Sequence, residues 1–177
     1  SVKKLARSNV LVHEMNCVET LARVNVLCVD KTGTITRPDM SVSDVVFLKD
    51  NVGKLIAGVA GNMDDDNETM KAIKNYYHIT GRDNSAERVY SFSSQNKYSG
   101  AVLDGRCYIF GAPEYVLLDT YAEYEDIFER YSGHGERILV FGECVGDPCG
   151  NIIEEAVNPY AFIILENEIR DTAKETF

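Results

Sequence analysis

Positive charge is scarce in this sequence: 18 lysines and arginines face 28 aspartates and glutamates, a formal charge of −10. A field of that sign repels phosphate backbones and excludes a nucleic-acid binder that relies on a basic face. Long apolar runs are missing as well. Stretches such as Ala161 to Leu165 fall far short of the roughly eighteen residues a membrane helix needs. The opening Ser-Val-Lys-Lys-Leu-Ala-Arg lacks the apolar core of a signal peptide, so the 177 residues are expected to be soluble and not to span a membrane themselves. There is no CxxC pair. The five cysteines are odd in number and scattered; Cys17, Cys28 and Cys107 sit in apolar-patterned segments, where the residue behaves as a small buried hydrophobe. Cys144 and Cys149 flank a Val-Gly-Asp-Pro turn and could approach one another, but two thiols without a nearby His make no zinc site. Reduced, structural thiols are expected. No Gly-x-Ser-x-Gly elbow accompanies Ser93, Ser94, His78 or His134, which excludes a serine hydrolase of that type. No internal repeat occurs.

What is present is 45% apolar residues, enough for one medium core or two small ones. Residues 1–23 are helix-prone, and Asn16 followed by Glu19 has the spacing of a capping box. Val24 to Val29 is a nearly continuous apolar run ending in Asp30, the pattern of a strand buried on both faces of a parallel sheet with a carboxylate at its C-terminal edge. Thr36 to Met40, with Pro38, reads as a connection, and a strand is expected over Val42 to Leu48. A helix fits Asn67 to Tyr77, with Met70, Ile73 and Tyr77 on one face and Asp64, Asp65 and Asp66 ahead of its positive end. Val89 to Phe92 is expected to be a strand. Ala101 to Leu103 and Arg106 to Phe110 should form a hairpin around Asp104-Gly105, a strong turn pair. Pro113 opens a helical stretch that breaks near Asp119 and resumes to Tyr131 before Gly133 and Gly135. Arg137 to Cys144 and Tyr160 to Leu165 are the remaining strands.

The segment Asp30-Lys31-Thr32-Gly33-Thr34-Ile35-Thr36 carries the chemistry. A carboxylate at a strand mouth, followed by a Thr/Gly loop, suits attack on a phosphoryl group. The Asp supplies an oxygen nucleophile and the loop N–H groups hold phosphoryl oxygens. Mg²⁺, ligated by Asp30 and Thr32, would offset the repulsion between the two anions. The whole string resembles the phosphorylation signature of P-type ATPases, the cation pumps that form an aspartyl-phosphate. Phosphatases of the wider haloacid-dehalogenase-like superfamily place an acid/base two residues after the nucleophile. Thr32 has no group that titrates near neutral pH, which suits a lasting phosphoenzyme rather than a phosphatase.

Further stretches resemble the same family, in order. Ser91-Phe92-Ser93-Ser94-Gln95-Asn96-Lys97 is similar to its nucleotide-domain Phe-Ser-x-x-x-x-Lys stretch, where the ring stacks on adenine. Phe110-Gly111-Ala112-Pro113-Glu114 matches Lys-Gly-Ala-Pro-Glu except at the first residue, so the ammonium found there in many members is replaced by a ring. Gly135-Glu136-Arg137-Ile138-Leu139 resembles Gly-x-Arg-Val-Leu, whose Arg reaches phosphates. Asn67-Glu68-Thr69-Met70-Lys71-Ala72 aligns with the family's Asn-Pro-Thr-(Asp/Glu)-x-Ala, with Met70 at the acidic position. Glu166 to Lys174 stands where an Asp-Pro-x-Arg-like hinge belongs, keeping only the pattern of acid then base.

The resemblance implies an α/β (α+β) chain: a mostly antiparallel sheet with helices, a nucleotide-binding domain over 39–163, inserted after the first strand of an incomplete haloacid-dehalogenase-like phosphorylation domain. The latter would contribute residues 1–38, with the signature, and the return segment 164–177. It further implies ATP and Mg²⁺ as cofactors. The expected catalytic segment is Asp30, Lys31, Thr32, Gly33 and Thr34, and the expected nucleotide residues are Phe92, Ser94, Lys97, Gly111, Ala112 and Arg137. Partners would be the rest of a pump (actuator, remaining phosphorylation domain and transmembrane helices) at the cytoplasmic side of a cell membrane. The family's Gly-Asp-Gly-x-x-Asn-Asp metal motif does not occur in these residues, so little or no ATP turnover is expected from them alone. A phosphatase of the same superfamily and a non-catalytic interaction module are the alternatives.

Overall fold

The structure, a computed structural model, describes residues 2–7, 9–11, 14, 16–64, 67–132, 135–149 and 151–176; the side chains of Val2, Lys4, Cys17, Thr32, Ser132 and Thr176 fall outside that description. Six strands form one antiparallel sheet: β1 (Thr36–Phe47), β2 (Arg88–Tyr90), β3 (Tyr98–Leu103), β4 (Arg106–Gly111), β5 (Arg137–Glu143) and β6 (Asn158–Ile169), in the order β1-β6-β5-β4-β3-β2. The helices are α1 (Val2–Arg7), α2 (Cys17–Leu21), α3 (Val52–Asn62), α4 (Glu68–Tyr76), α5 (Pro113–Val116), α6 (Glu125–Ser132) and α7 (Ala173–Thr176).

Strand β6 is the spine of the sheet because Ala161 to Leu165 are fully buried on both faces. Ala161, Ile163 and Leu165 face a core built with Val52, Ile56 and Val59 of α3 and Met70 and Ile73 of α4. Phe162 and Ile164 face a second core with Val116 of α5, Leu117 and Phe128 of α6. Each such large apolar side chain contributes about 1.5–3 kcal/mol on burial, so the sheet is held from two sides.

The expected helix over Asn67 to Tyr77 is α4, and the Asn67 side chain caps it by accepting the Met70 N–H at 2.9 Å. The Asp104-Gly105 hairpin also forms, with φ of 50° and 71°, the left-handed pair of a tight hairpin turn. Leu118, at φ 47°, breaks the stretch after Pro113 and passes it through a 3₁₀ segment (Leu118–Tyr124) into α6.

Several expectations are corrected. Val24 to Val29 forms no strand and is exposed. It cannot pair with Ala161 to Leu165, because β1 and β5 already occupy both edges of β6. The buried apolar run is thus the signature of a central antiparallel strand here, not of a parallel one. Thr36 to Met40 is not a connection: β1 runs from Thr36 and pairs with β6 at Thr36↔Ile169 and again from Met40↔Asn167, with a register shift across Pro38, which an edge strand tolerates. β2 stops at Tyr90, leaving Ser91 and Phe92 in a loop. Asn16 has helical φ/ψ and makes no side-chain cap; Glu19 instead pairs with Arg23 at 2.6 Å. Asp64 pairs with Arg82 rather than serving α4, and Asp65 and Asp66 lie outside the described residues, as do Gly133 and His134. Cys28 is exposed. Cys144 meets Cys107 across β4 and β5, its N–H on the Cys107 carbonyl at 2.9 Å, rather than Cys149. Helix α3 went unread because Gly53, Gly58 and Gly61 mask its apolar stripe of Val52, Ile56, Val59 and Ala60.

Candidate functional site

The site arises from unequal strand lengths. Gly111, the last residue of β4, pairs with Val140, so Arg137, Ile138 and Leu139 of β5 extend past β4 and pair only with β6. The notch opens into a cavity of about 670 Å³. Asn67, Thr69 and Met70 of the α4 start line it, with Phe92 and Lys97 from the β2–β3 loop, Ser99 and Phe110 from the sheet, and Ala112, Pro113 and Glu114 from the start of α5. Tyr121 and Phe128 close it from the second layer, and Gly135 to Leu139 form the β5 wall.

The β2–β3 loop is shaped by Ser93, whose hydroxyl accepts the N–H groups of Gln95 and Asn96 at 3.2 and 3.4 Å. The Lys97 N–H returns to the Ser93 carbonyl at 2.8 Å. The turn leaves Phe92 half exposed at the cavity mouth (48%) with Lys97 beside it. Lys97 adopts φ 60°, and its carbonyl accepts the Ala112 N–H at 3.1 Å. Two stretches well separated in sequence are thereby fixed to one another.

Phe110 is buried (2%) and packs on Phe141 with ring centroids 4.9 Å apart, so the position of the missing ammonium is an aromatic inner wall. Gly111 does not line the cavity. A Cβ there would lie 2.3 Å from Val116 Cγ1, so this glycine exists to let α5 dock on the sheet. Ser94 is exposed and also outside the lining. The cavity cations are Lys97 and Arg137, and Arg137 makes no ion pair among the described residues. Burial, with Glu114 and Glu125 nearby, raises the Tyr121 phenol above its ordinary value and keeps it a hydrogen-bond donor. Glu136 Oε2 is buried and has no hydrogen-bond partner among the described residues.

Asp30 is exposed, and Lys31–Ile35 forms one wide π-type turn. None of Asp30, Lys31, Thr32, Gly33 or Thr34 lines the cavity, but Lys31 Nζ donates to the Gly135 carbonyl at 3.2 Å, and Gly135 does line it. The turn is stitched to one end of the paired strands β1 and β6. The Thr36 hydroxyl donates to the Lys31 carbonyl at 3.3 Å. Arg170, just beyond β6, donates from Nη2 to the Gly33 carbonyl at 2.8 Å, from Nε to the Thr36 carbonyl at 3.1 Å and from its backbone N–H to the Ile35 carbonyl at 3.0 Å. Thr36 stood in the signature string without a role of its own, and Arg170 is the residue that the motifs did not single out. The only signal was the acid-then-base pattern around Arg170. For Mg²⁺, Asp30 offers one carboxylate, the Thr32 side chain lies outside the described residues, and no group of three His, Cys, Asp or Glu residues converges among those described. The described residues do not by themselves assemble a Mg²⁺ site.

No family model matches the chain. Among solved structures, the catalytic domain of the CPx-ATPase CopB-B, studied for its conformational changes upon nucleotide binding, superposes with a TM-score of 0.61 at 11% identity, covering 98% of this chain and 57% of that one. A zinc-transporting PIB-type ATPase superposes with a TM-score of 0.57 at 16% identity, over 81% of this chain and 22% of the other. The fold is therefore that of the catalytic domain of P-type ATPases. In sequence, the calcium-transporting ATPase CtpE of Mycolicibacterium smegmatis is 35% identical over 177 residues, 99% of this chain and 22% of the relative. The probable cation-transporting ATPase exp7 of Streptococcus pneumoniae is 37% identical over 146 residues, 79% of this chain and 18% of the relative. The chain belongs to the cation-transporting P-type ATPases and spans about a fifth of the length of these curated relatives.

Proposed function

We propose that the notch between β4 and β5 binds ATP and that, in a full-length pump, the bound nucleotide phosphorylates Asp30 to drive cation transport across a membrane, with this chain on its cytoplasmic side. The observation that carries the reading is the convergence of Phe92, Lys97, Ala112 and Arg137 on one cavity. The half-exposed Phe92 ring offers a flat face for a purine, and Phe110 and Met70 supply apolar walls. Lys97 and Arg137 supply charge for the phosphates, Arg137 as a two-pronged donor. The site would select its nucleotide by stacking and phosphate charge, without the ammonium that Phe110 replaces.

For transfer, an Asp30 carboxylate oxygen attacks the γ-phosphorus as the bond to the ADP oxygen breaks in line, leaving an acyl phosphate and ADP. Arg170 and Thr36 hold the turn after the nucleophile in one shape, so its N–H groups are ordered before phosphate arrives. Thr32 brings no base to activate water, which lets the acyl phosphate persist until the pump changes conformation. The remaining phosphorylation domain, the actuator and the membrane helices are the partners this reading requires.

Calorimetric titration of this chain with ATP tests the binding half: saturable binding is expected, weakened in Phe92→Ala and Arg137→Ala. For the transfer half, the full-length polypeptide is incubated with γ-labelled ATP. Acid-stable label should appear in the wild type and vanish in Asp30→Asn; label that persists in the variant would overturn the assignment.

A further inference from the structure

The cavity wall contains one group that neither stacking nor phosphate binding explains. Glu136 lines the cavity, and its Oε2 is buried without a hydrogen-bond partner among the described residues. A buried carboxylate oxygen left without a donor is costly, so a site that keeps one is matched to a donor that arrives with the ligand. A cavity meant only for a triphosphate would gain nothing from a carboxylate next to its cation, Arg137, since acid and phosphate repel.

The parts of a nucleoside triphosphate differ in what they can give Glu136. The phosphates carry no donor near neutral pH when ionised. The adenine amine and the ribose hydroxyls are donors. Phe92, the base platform, comes from the loop leading into β3, whereas Glu136 immediately precedes β5 and Arg137 opens it, two strands away across β4. Two strand spacings are roughly 9–10 Å, about the reach from a base to its phosphates. Glu136 immediately precedes Arg137, so it lies beside the phosphate end of that span, where the sugar joins the base to the phosphates.

We propose that Glu136 is the ribose-recognising residue of this site, its buried oxygen accepting a hydrogen bond from the 2′- or 3′-hydroxyl of the nucleotide. The proposal rests on the reading of the cavity as a nucleotide site. It makes the protein selective for ribonucleotides: the carboxylate is satisfied by a diol and left unpaired by a sugar that lacks one. Lys31, whose ammonium sits on the neighbouring Gly135 carbonyl, offsets some of the negative charge that Glu136 brings to this rim.

The experiment compares binding of ATP, 2′,3′-dideoxy-ATP and inosine triphosphate to the wild-type chain and to Glu136→Ala and Glu136→Gln. In the wild type, ATP is expected to bind at least about tenfold more tightly than the dideoxy analogue, roughly 1.4 kcal/mol, as suits a hydrogen bond to a charged acceptor. Glu136→Ala should lower ATP affinity to that of the dideoxy analogue and leave the analogue's own affinity unchanged, with Glu136→Gln falling between. Wild-type protein that binds ATP and the dideoxy analogue equally overturns the proposal and leaves the nucleotide site standing. The same holds if Glu136→Ala removes discrimination against inosine triphosphate instead, which would assign Glu136 to the base amine. Folded wild-type protein that binds neither nucleotide at millimolar concentration overturns the nucleotide reading itself. The first comparison uses only the wild type, so it stands even if a variant fails to fold.

Discussion

The backbone N–H of Ala112 donates to the carbonyl of Lys97 at 3.1 Å, and through that bond the loop carrying Phe92 is fixed to the start of α5. Lys97 meets it with a left-handed backbone, φ 60°, that an L-residue adopts at some cost. Glycine takes φ above zero freely, so Lys97→Gly would relax the turn while deleting the cation. Lys97 thus keeps its side chain at the cavity mouth on a left-handed backbone.

Phe92→Ala should separate binding from stability. The ring is half exposed, so its removal is expected to change the unfolding free energy by less than about 0.5 kcal/mol. ATP affinity should fall by roughly 1–3 kcal/mol, the usual worth of a base stacked on an aromatic side chain. Urea titration and calorimetry on the same preparation check both.

Arg170→Ala should loosen the turn after the nucleophile without disturbing the cavity. Two guanidinium bonds, to the Gly33 and Thr36 carbonyls, are lost. Hydrogen exchange over residues 31–36 is expected to accelerate about tenfold, with ATP affinity unchanged because Arg170 does not line the cavity.

Tyr77→Phe is expected to stabilise the protein. The Tyr77 hydroxyl is buried with no hydrogen-bond partner among the described residues, so deleting it removes a desolvated donor at no loss of ring packing against Tyr76. A gain of about 1 kcal/mol in urea unfolding is anticipated.

Alkaline pH should unfold the chain through its tyrosines. Burial pushes Tyr77 and Tyr98 up to about 12 from 10.0; burial and a bond to Asp147 do the same for Tyr90, and a hydrogen bond to Glu143 together with burial for Tyr160. A raised folded value means the native state holds the proton more tightly than the unfolded one. The stabilisation is complete below pH 10 and drains away as pH climbs from 10 towards 12. Tyrosinate absorbance and far-ultraviolet circular dichroism should change together over that range.

Local chemistry was legible in part: Asp104-Gly105 made its hairpin and the helix expected from Asn67 formed, whereas Asn16, with the spacing of a capping box, caps nothing. The order of Phe92, Lys97, Ala112 and Arg137 along known motifs foretold their meeting in one cavity. What stayed hidden depended on distant partners. Val24 to Val29 has the composition of a buried strand, but both edges of β6 are filled by β1 and β5. Gly111 was expected among the nucleotide residues, but the space its missing side chain leaves is taken by Val116. Arg170 carried no motif strong enough to reveal that it grips a turn 137 residues earlier.

Amide-resolved NMR of the chain during an ATP titration tests the nucleotide site most directly. Shifts that saturate and cluster on Phe92, Lys97, Ala112 and Arg137 are the predicted result. A folded spectrum that stays unchanged at millimolar ATP, or shifts that gather away from the β4–β5 notch, would contradict it.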